Sequence, residues 1–147
     1  MWRVKRSILE FGSEESGNME KEFIPYEQAL ALKELGFDET YLGFYYDEKG
    51  NIFYNSLILS YLKAPLYQQV FRWFRDKYGF VIRYIPHEID DNEGQSILHH
   101  YYKISEYDNW RGGRRNTVET ELSEEYEEAE LECLKKLIKI VKNKQKL

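Results

Sequence analysis

PLYQQVFRWFRDKYG, residues 65–79, declares a helix from end to end and puts aromatic rings on most of its sides. Pro65 suits a first helical position, where its missing N–H costs nothing, and Gly79 suits the residue just past the end. Leu66, Val70, Phe71, Phe74 and Tyr78 recur at three- and four-residue spacing as one apolar stripe, and Tyr67 and Trp73 widen it beyond what a surface helix needs. A helix of this kind belongs at the centre of a fold.

Upstream, IPYEQALALKELGF (residues 24–37) predicts a short helix with Pro25 near its start and Gly36 at its end, burying Tyr26, Ala29 and Leu30, with Leu32 and Leu35 as further candidates. YLGFYYDEKGNIFYNS (41–56) holds two aromatic runs broken at Asp47–Asn51, which reads as a hairpin with a longer loop. The run from Leu57 to Leu62 reads equally as a further strand or as the connection into the central helix.

Downstream, FVIRYIP (80–86) and SILHHYYKISEY (96–107) predict two strands of one hairpin around the turn cluster Asp90–Gly94. Tyr102, Ile104 and Glu106 alternate with Tyr101, Lys103 and Ser105, and Ile104 marks the buried face. WRGGRRN (110–116) reads as a loop. A terminal helix over about Ser123 to Lys144 carries the stripe Tyr126, Ala129, Cys133, Leu134, Leu137, Ile138 and Val141. Its glutamates precede its lysines, the order the helix dipole favours, and Glu132 with Lys136 makes an i, i+4 pair.

The expected fold is α+β: a small, mainly antiparallel sheet of two hairpins, packed against two long helices, with a short N-terminal helix. Residues 1–22, rich in Gly, Ser and Glu, read as a flexible N-terminal arm in which Met19 offers an alternative start, and residues 23–147 as a single domain. Hydrophobic residues make up 42% of the chain and aromatic residues 16%, yet 32% are charged and the mean hydropathy is -0.70. The core must therefore be built from Tyr and Phe more than from Ile and Val, and the 13 tyrosines each bring a hydroxyl that needs a partner. A net charge of -5 argues against non-specific coating of nucleic acid, which depends on neutralising phosphates. One cysteine, Cys133, reads as a small buried hydrophobe and fits a reducing cytoplasm. No apolar run reaches the roughly 18–20 residues of a membrane span.

Three strings, PYEQALALKELGFDE from Pro25, APLYQQVFRWFRDKYG from Ala64 and YEEAELECLKKLIKIVK from Tyr126, together resemble a family of small uncharacterised proteins of gut Bacteroidales and their phages and prophages. The resemblance covers about residues 22–144. It implies a phage or mobile-element context and a cytoplasmic location, and it supplies no catalytic residues.

Candidate chemistry is sparse. His87 and Asp90 stand near one end of the second hairpin, with His99 and His100 on the facing strand, so His87, one of that pair and Asp90 could share a metal in a metal-dependent hydrolase; adjacent strand residues face opposite ways, so at most one of the two can serve. The spacing matches no metal signature. No serine sits in a nucleophile elbow, no phosphate loop is present, and Cys133 beside Glu130 and Glu132 is set for a raised thiol pKa.

The segment with a positive argument is WRGGRR: Trp110 offers a stacking ring and Arg111, Arg114 and Arg115 offer guanidinium groups, the combination used on single-stranded nucleic acids and nucleotides. The structural alternative pairs these arginines with Glu119, Glu121, Glu124 and Glu125. Arg72 and Arg75, flanking Trp73 on the central helix, make a second candidate contact for a protein partner, with Trp73 itself assigned to the core. The reading is a non-enzymatic accessory protein that binds a host or phage macromolecule, with no cofactor and no membrane. A protein partner is expected, nucleic acid is the alternative, and the aromatic surface also suits a homodimer.

Overall fold

The computed structural model describes residues 20–39, 44–54, 62–108 and 113–147, with Asp108, Arg114 and Arg115 described by backbone alone. The fold is α+β, with three helices and two three-stranded antiparallel sheets among the described residues. Chain contacts divide it into two compact units between Val70 and Phe71. Apart from residues 20–22, the expected N-terminal arm lies outside the described residues.

The first unit contains α1 (Tyr26–Glu34), β1 (Phe44–Tyr46), β2 (Ile52–Tyr54) and β3 (Leu62–Lys63), with strand order β2-β1-β3. Helix α1 buries Ala29 and Leu32. Leu30, expected in that stripe, is 41% exposed, because one residue is about 100° of helical turn away from Ala29 whereas three residues bring Leu32 back to the same side. Gly36 (φ 85°) ends the helix: its N–H donates to Lys33 and that of Phe37 to Leu32, both at 3.0 Å, the doubled bond that satisfies the last carbonyls. Phe37 and Leu32, joined by the outer bond, are both buried. The run at 57–62 lies outside the described residues up to Tyr61; Leu62 and Lys63 pair with Tyr46 and Tyr45 as a third strand.

Helix α2 (Tyr67–Tyr78) is the helix expected at residues 65–79. Pro65 is not its first residue: the Pro65 carbonyl accepts the N–H of Ile24, and Leu66 bridges Phe23, so the Pro is spent on an extended contact. Gln69 caps the helix instead, its side-chain oxygen accepting the N–H of Leu66 at 3.0 Å. Gly79 (φ 70°) closes the other end, donating to Arg75 at 2.9 Å.

The second unit contains β4 (Phe80–Asp90), β5 (Ser96–Asp108), β6 (Gly113–Glu119) and α3 (Tyr126–Gln145), with strand order β4-β5-β6. The long β4–β5 hairpin forms around the turn cluster expected, with a register running from Phe80 opposite Glu106 to Asp90 opposite Ser96. Two expectations fail: a single sheet from two hairpins, because each hairpin recruits its own third strand, and a pair of long helices, because α2 has only 12 residues. The expected loop at 110–116 is in part β6. Gly113 and Asn116 read as breakers, but Thr117 and Val118 are strand formers, and Asn116 at φ 48° takes up the extra residue of a bulge where the register shifts between Ile104 and Glu106.

Helix α3 packs on the sheet face that carries Tyr84, Tyr102 and Glu106. Tyr126 meets Tyr84 edge-on at 5.3 Å, and Lys144 pairs with Glu106 at 2.8 Å. Its stripe is buried from Ala129 to Val141 as expected, whereas Tyr126 is half-exposed. Glu132 pairs with Lys135 at 2.9 Å rather than with Lys136, because the Lys136 ammonium donates to the carbonyl of Glu119. Phe71, Trp73, Phe74 and Phe80 are buried, so the aromatic excess of the central helix is core.

Candidate functional site

Strand β5 is covered only along part of its length. Past β6 the chain still follows it, through Thr120 on Tyr102 and Ser123 on His100, and the first turn of α3 reaches His100 with the Tyr126 ring at 5.8 Å. Beyond that point β4 and β5 continue as a two-stranded ribbon in which every residue from Pro86 to Leu98 except Asp91 is exposed. Ile89, Ile97 and Leu98 are 37%, 38% and 45% exposed, large apolar side chains on an element with no covering layer among the described residues.

The ribbon is nonetheless rigidly built. At its root Tyr84 and His100 stack, with the Tyr84 hydroxyl 2.7 Å from His100 Nδ1. Tyr102 donates its hydroxyl to that of Tyr126, and Tyr126 donates to Glu130, both at 3.0 Å. Burial, reinforced by Tyr126 and Glu130, holds the Tyr102 phenol far above the ordinary tyrosine range, so it acts as a donor and not as a titrating group. At the tip, Asp91 accepts the N–H groups of Glu93 and Gln95 at 2.8 Å, and Gly94 turns the chain at φ 80°.

Pro86 protects the open side of this ribbon. Opposite it, His100 exchanges both backbone hydrogen bonds with Ser123, so His100 and Pro86 form a rung without mutual hydrogen bonds and the Pro86 nitrogen points to the outer edge. An edge strand interrupted by a residue with no N–H is disfavoured for pairing with a further strand. The β4 edge of the ribbon is therefore interrupted at Pro86.

Strand alternation sorts the side chains. One face carries Ile85, His87 and Ile89 opposite Tyr101, His99 and Ile97; the other, continuous with the α3 side, carries Pro86, Glu88 and Asp90 opposite His100, Leu98 and Ser96. No Lys or Arg occurs between Arg83 and Lys103, whereas Glu88, Asp90, Asp91 and Glu93 crowd the outer half.

The sequence-predicted site residues scatter. His87 does face His99, its direct cross-strand partner, but Asp90 falls on the other face, so the expected three-residue metal set does not assemble. Among the described residues no three His, Cys, Asp or Glu side chains are grouped as metal ligands. Arg72 and Arg75 are exposed on α2, with Trp73 buried between them. Trp110 and Arg111 lie outside the described residues, as do the side chains of Arg114 and Arg115, whose backbones pair with Tyr107 and Glu106 on β6 and not in a free loop. Glu119, one expected partner for these arginines, instead holds Lys103 at 2.6 Å and raises its pKa. Cys133 is fully buried; burial first and Glu130 second push its thiol far up, which removes it as a nucleophile.

Sequence reading missed Ile89, Ile97 and Leu98 as surface residues, since apolar side chains in a strand suggest a core. The signal available was Pro86 inside the run, which marks an edge strand, together with the acids that close the hairpin. No helix among the described residues is long and apolar enough to cross a membrane. Comparison of the chain with protein-family models, with curated proteins and with solved structures finds no match in any of the three.

Proposed function

We propose that the protein is a non-enzymatic binding protein, a cytoplasmic accessory factor of phage or mobile-element origin, and that it engages a host or phage protein through the β4–β5 ribbon. One observation carries this reading: a braced hairpin projects past its third strand and its covering helix with large apolar side chains exposed and an acidic outer half. An element of that kind is costly for a monomer to display, and clustered exposed apolar groups rimmed by charge are what interaction sites look like. The resemblance to small proteins of Bacteroidales phages supports the biological setting. The acids weigh against nucleic acid as the ribbon's ligand.

The test is capture from a host lysate by the tagged full chain, with and without nuclease, beside a Glu88→Lys/Leu98→Asp variant. A stoichiometric protein that survives nuclease and is lost with the variant is the expected result. Capture of nucleic acid alone, lost at high salt, would overturn the reading and move the function to Trp110, Arg111, Arg114 and Arg115. A protein partner held equally by both forms would remove the Glu88–Leu98 face of the ribbon as the contact.

A further inference from the structure

The ribbon face turned away from α3 is graded along its length. At its base Arg83 stands directly opposite Lys103. Like charges across a strand pair repel, and while Lys103 has Glu119, the Arg83 Nε is buried with no hydrogen-bond partner. Next come three rungs without Lys, Arg, Asp or Glu, Ile85 with Tyr101, His87 with His99 and Ile89 with Ile97, with the Glu124 carboxylate 3.9 Å from His99 Nε2. At the tip stand Asp91 and Glu93. The rung of His87 and His99 lies midway between the cationic rung and the Asp91–Gln95 closure, which are about 27 Å apart at the rise of a strand.

A surface that is cationic at one end, apolar in the middle and acidic at the other is complementary to itself after a half-turn about its centre. We propose that this face is the contact of a two-fold dimer of the chain, ribbon on ribbon and antiparallel, with Asp91 and Glu93 of each copy against Arg83 of the other. Such an isologous contact makes every favourable pairing twice. A generic basic protein would match the tip and be repelled at the base, and nucleic acid would do the reverse. Edge-to-edge pairing through β4 is disfavoured by Pro86. The proposal rests on the ribbon being a binding element, as argued above, but it uses the opposite face from Glu88 and Leu98, which stays available to a further protein.

About six side chains per copy make a small interface, so the dimer is expected to exchange with monomer at a dissociation constant on the order of 10 μM. Sedimentation equilibrium of the full chain from about 1 to 300 μM reads this directly. Glu93→Lys and Arg83→Glu should each weaken association roughly tenfold or more, and the double variant Arg83→Glu/Glu93→Lys should recover part of the loss, since the residue 83–93 pairing is restored twice with reversed sign while Asp91 then faces a glutamate. Ile89→Asp/Ile97→Asp, at exposed positions that need no refolding, should leave a monomer with an unchanged circular dichroism spectrum. A monomer for the wild-type chain across the whole range, additive weakening without recovery in the double variant, or a dimer indifferent to Ile89→Asp/Ile97→Asp would each overturn the proposal. Loss of a lysate partner with Glu88→Lys/Leu98→Asp while the chain stays monomeric would leave the proposed function standing and sink the dimer alone.

Discussion

Asp47 and Asp91 hold the same position in the same turn of two different hairpins. Each carboxylate accepts two backbone N–H groups at 2.8 Å, from Lys49 and Asn51 in one turn and from Glu93 and Gln95 in the other. Each is followed three residues later by a glycine at positive φ, 82° at Gly50 and 80° at Gly94. Aspartate satisfies the tight backbone locally, and glycine supplies the left-handed residue.

Replacing Gly94 with Ala should therefore cost about 1–2 kcal/mol in chemical denaturation, a purely conformational penalty, since no atom lies within 4 Å of an added Cβ. Gly50→Ala should behave alike, because the nearest atom, on Tyr26, is an ordinary contact at 3.5 Å. A much larger loss at either position would show that the turn is constrained by packing.

The Asp47 carboxyl is held below its ordinary pKa, chiefly by the Asn51 side chain. The sign follows: its contribution is present above the usual carboxylate range near pH 4 and is lost as pH falls through the lowered value. Asn51→Ala should move the Asp47 titration, followed by NMR, back up toward the ordinary range, and no movement would refute the assignment.

Tyr102 and Tyr126 should respond in the order opposite to their burial. Tyr102→Phe removes a donor whose acceptor keeps Glu130, costing about 1 kcal/mol; Tyr126→Phe strands the buried Tyr102 hydroxyl without an acceptor, costing about 1–3 kcal/mol. Paired urea titrations decide it, and equal costs would mean that Tyr102 finds another acceptor.

Burial raises the pKa of Tyr46, Tyr102 and Cys133 together. A raised folded-state pKa leaves stability intact below the unfolded value and erodes it as pH rises further, so stability should fall from about pH 9 upward. Cys133 should accordingly resist a thiol reagent in the folded protein and react at the rate of unfolding, and fast native-state labelling would contradict its placement.

Local signals carried most of the fold. Gly36, Gly79 and the Asp-to-Gly turns end elements where the chain ends them, and the Ala129 to Val141 stripe is buried as its spacing predicts. Long-range partnerships were hidden. Leu62 and Lys63 become strand by pairing with β1, and Gly113–Glu119 by pairing with β5, choices made by a waiting sheet edge and not by the residues themselves. The site was illegible for the same reason: Ile89 and Ile97 look like core until β6 and α3 are known to stop short of them.

Pro86 has a further effect, on solubility. A strand of 11 residues at a sheet edge, ending in exposed isoleucine, is the sort of template from which fibres grow. By denying that template one amide at mid-length, the proline makes fibre growth along the β4 edge less favourable while the apolar side chains stay exposed on the ribbon's faces.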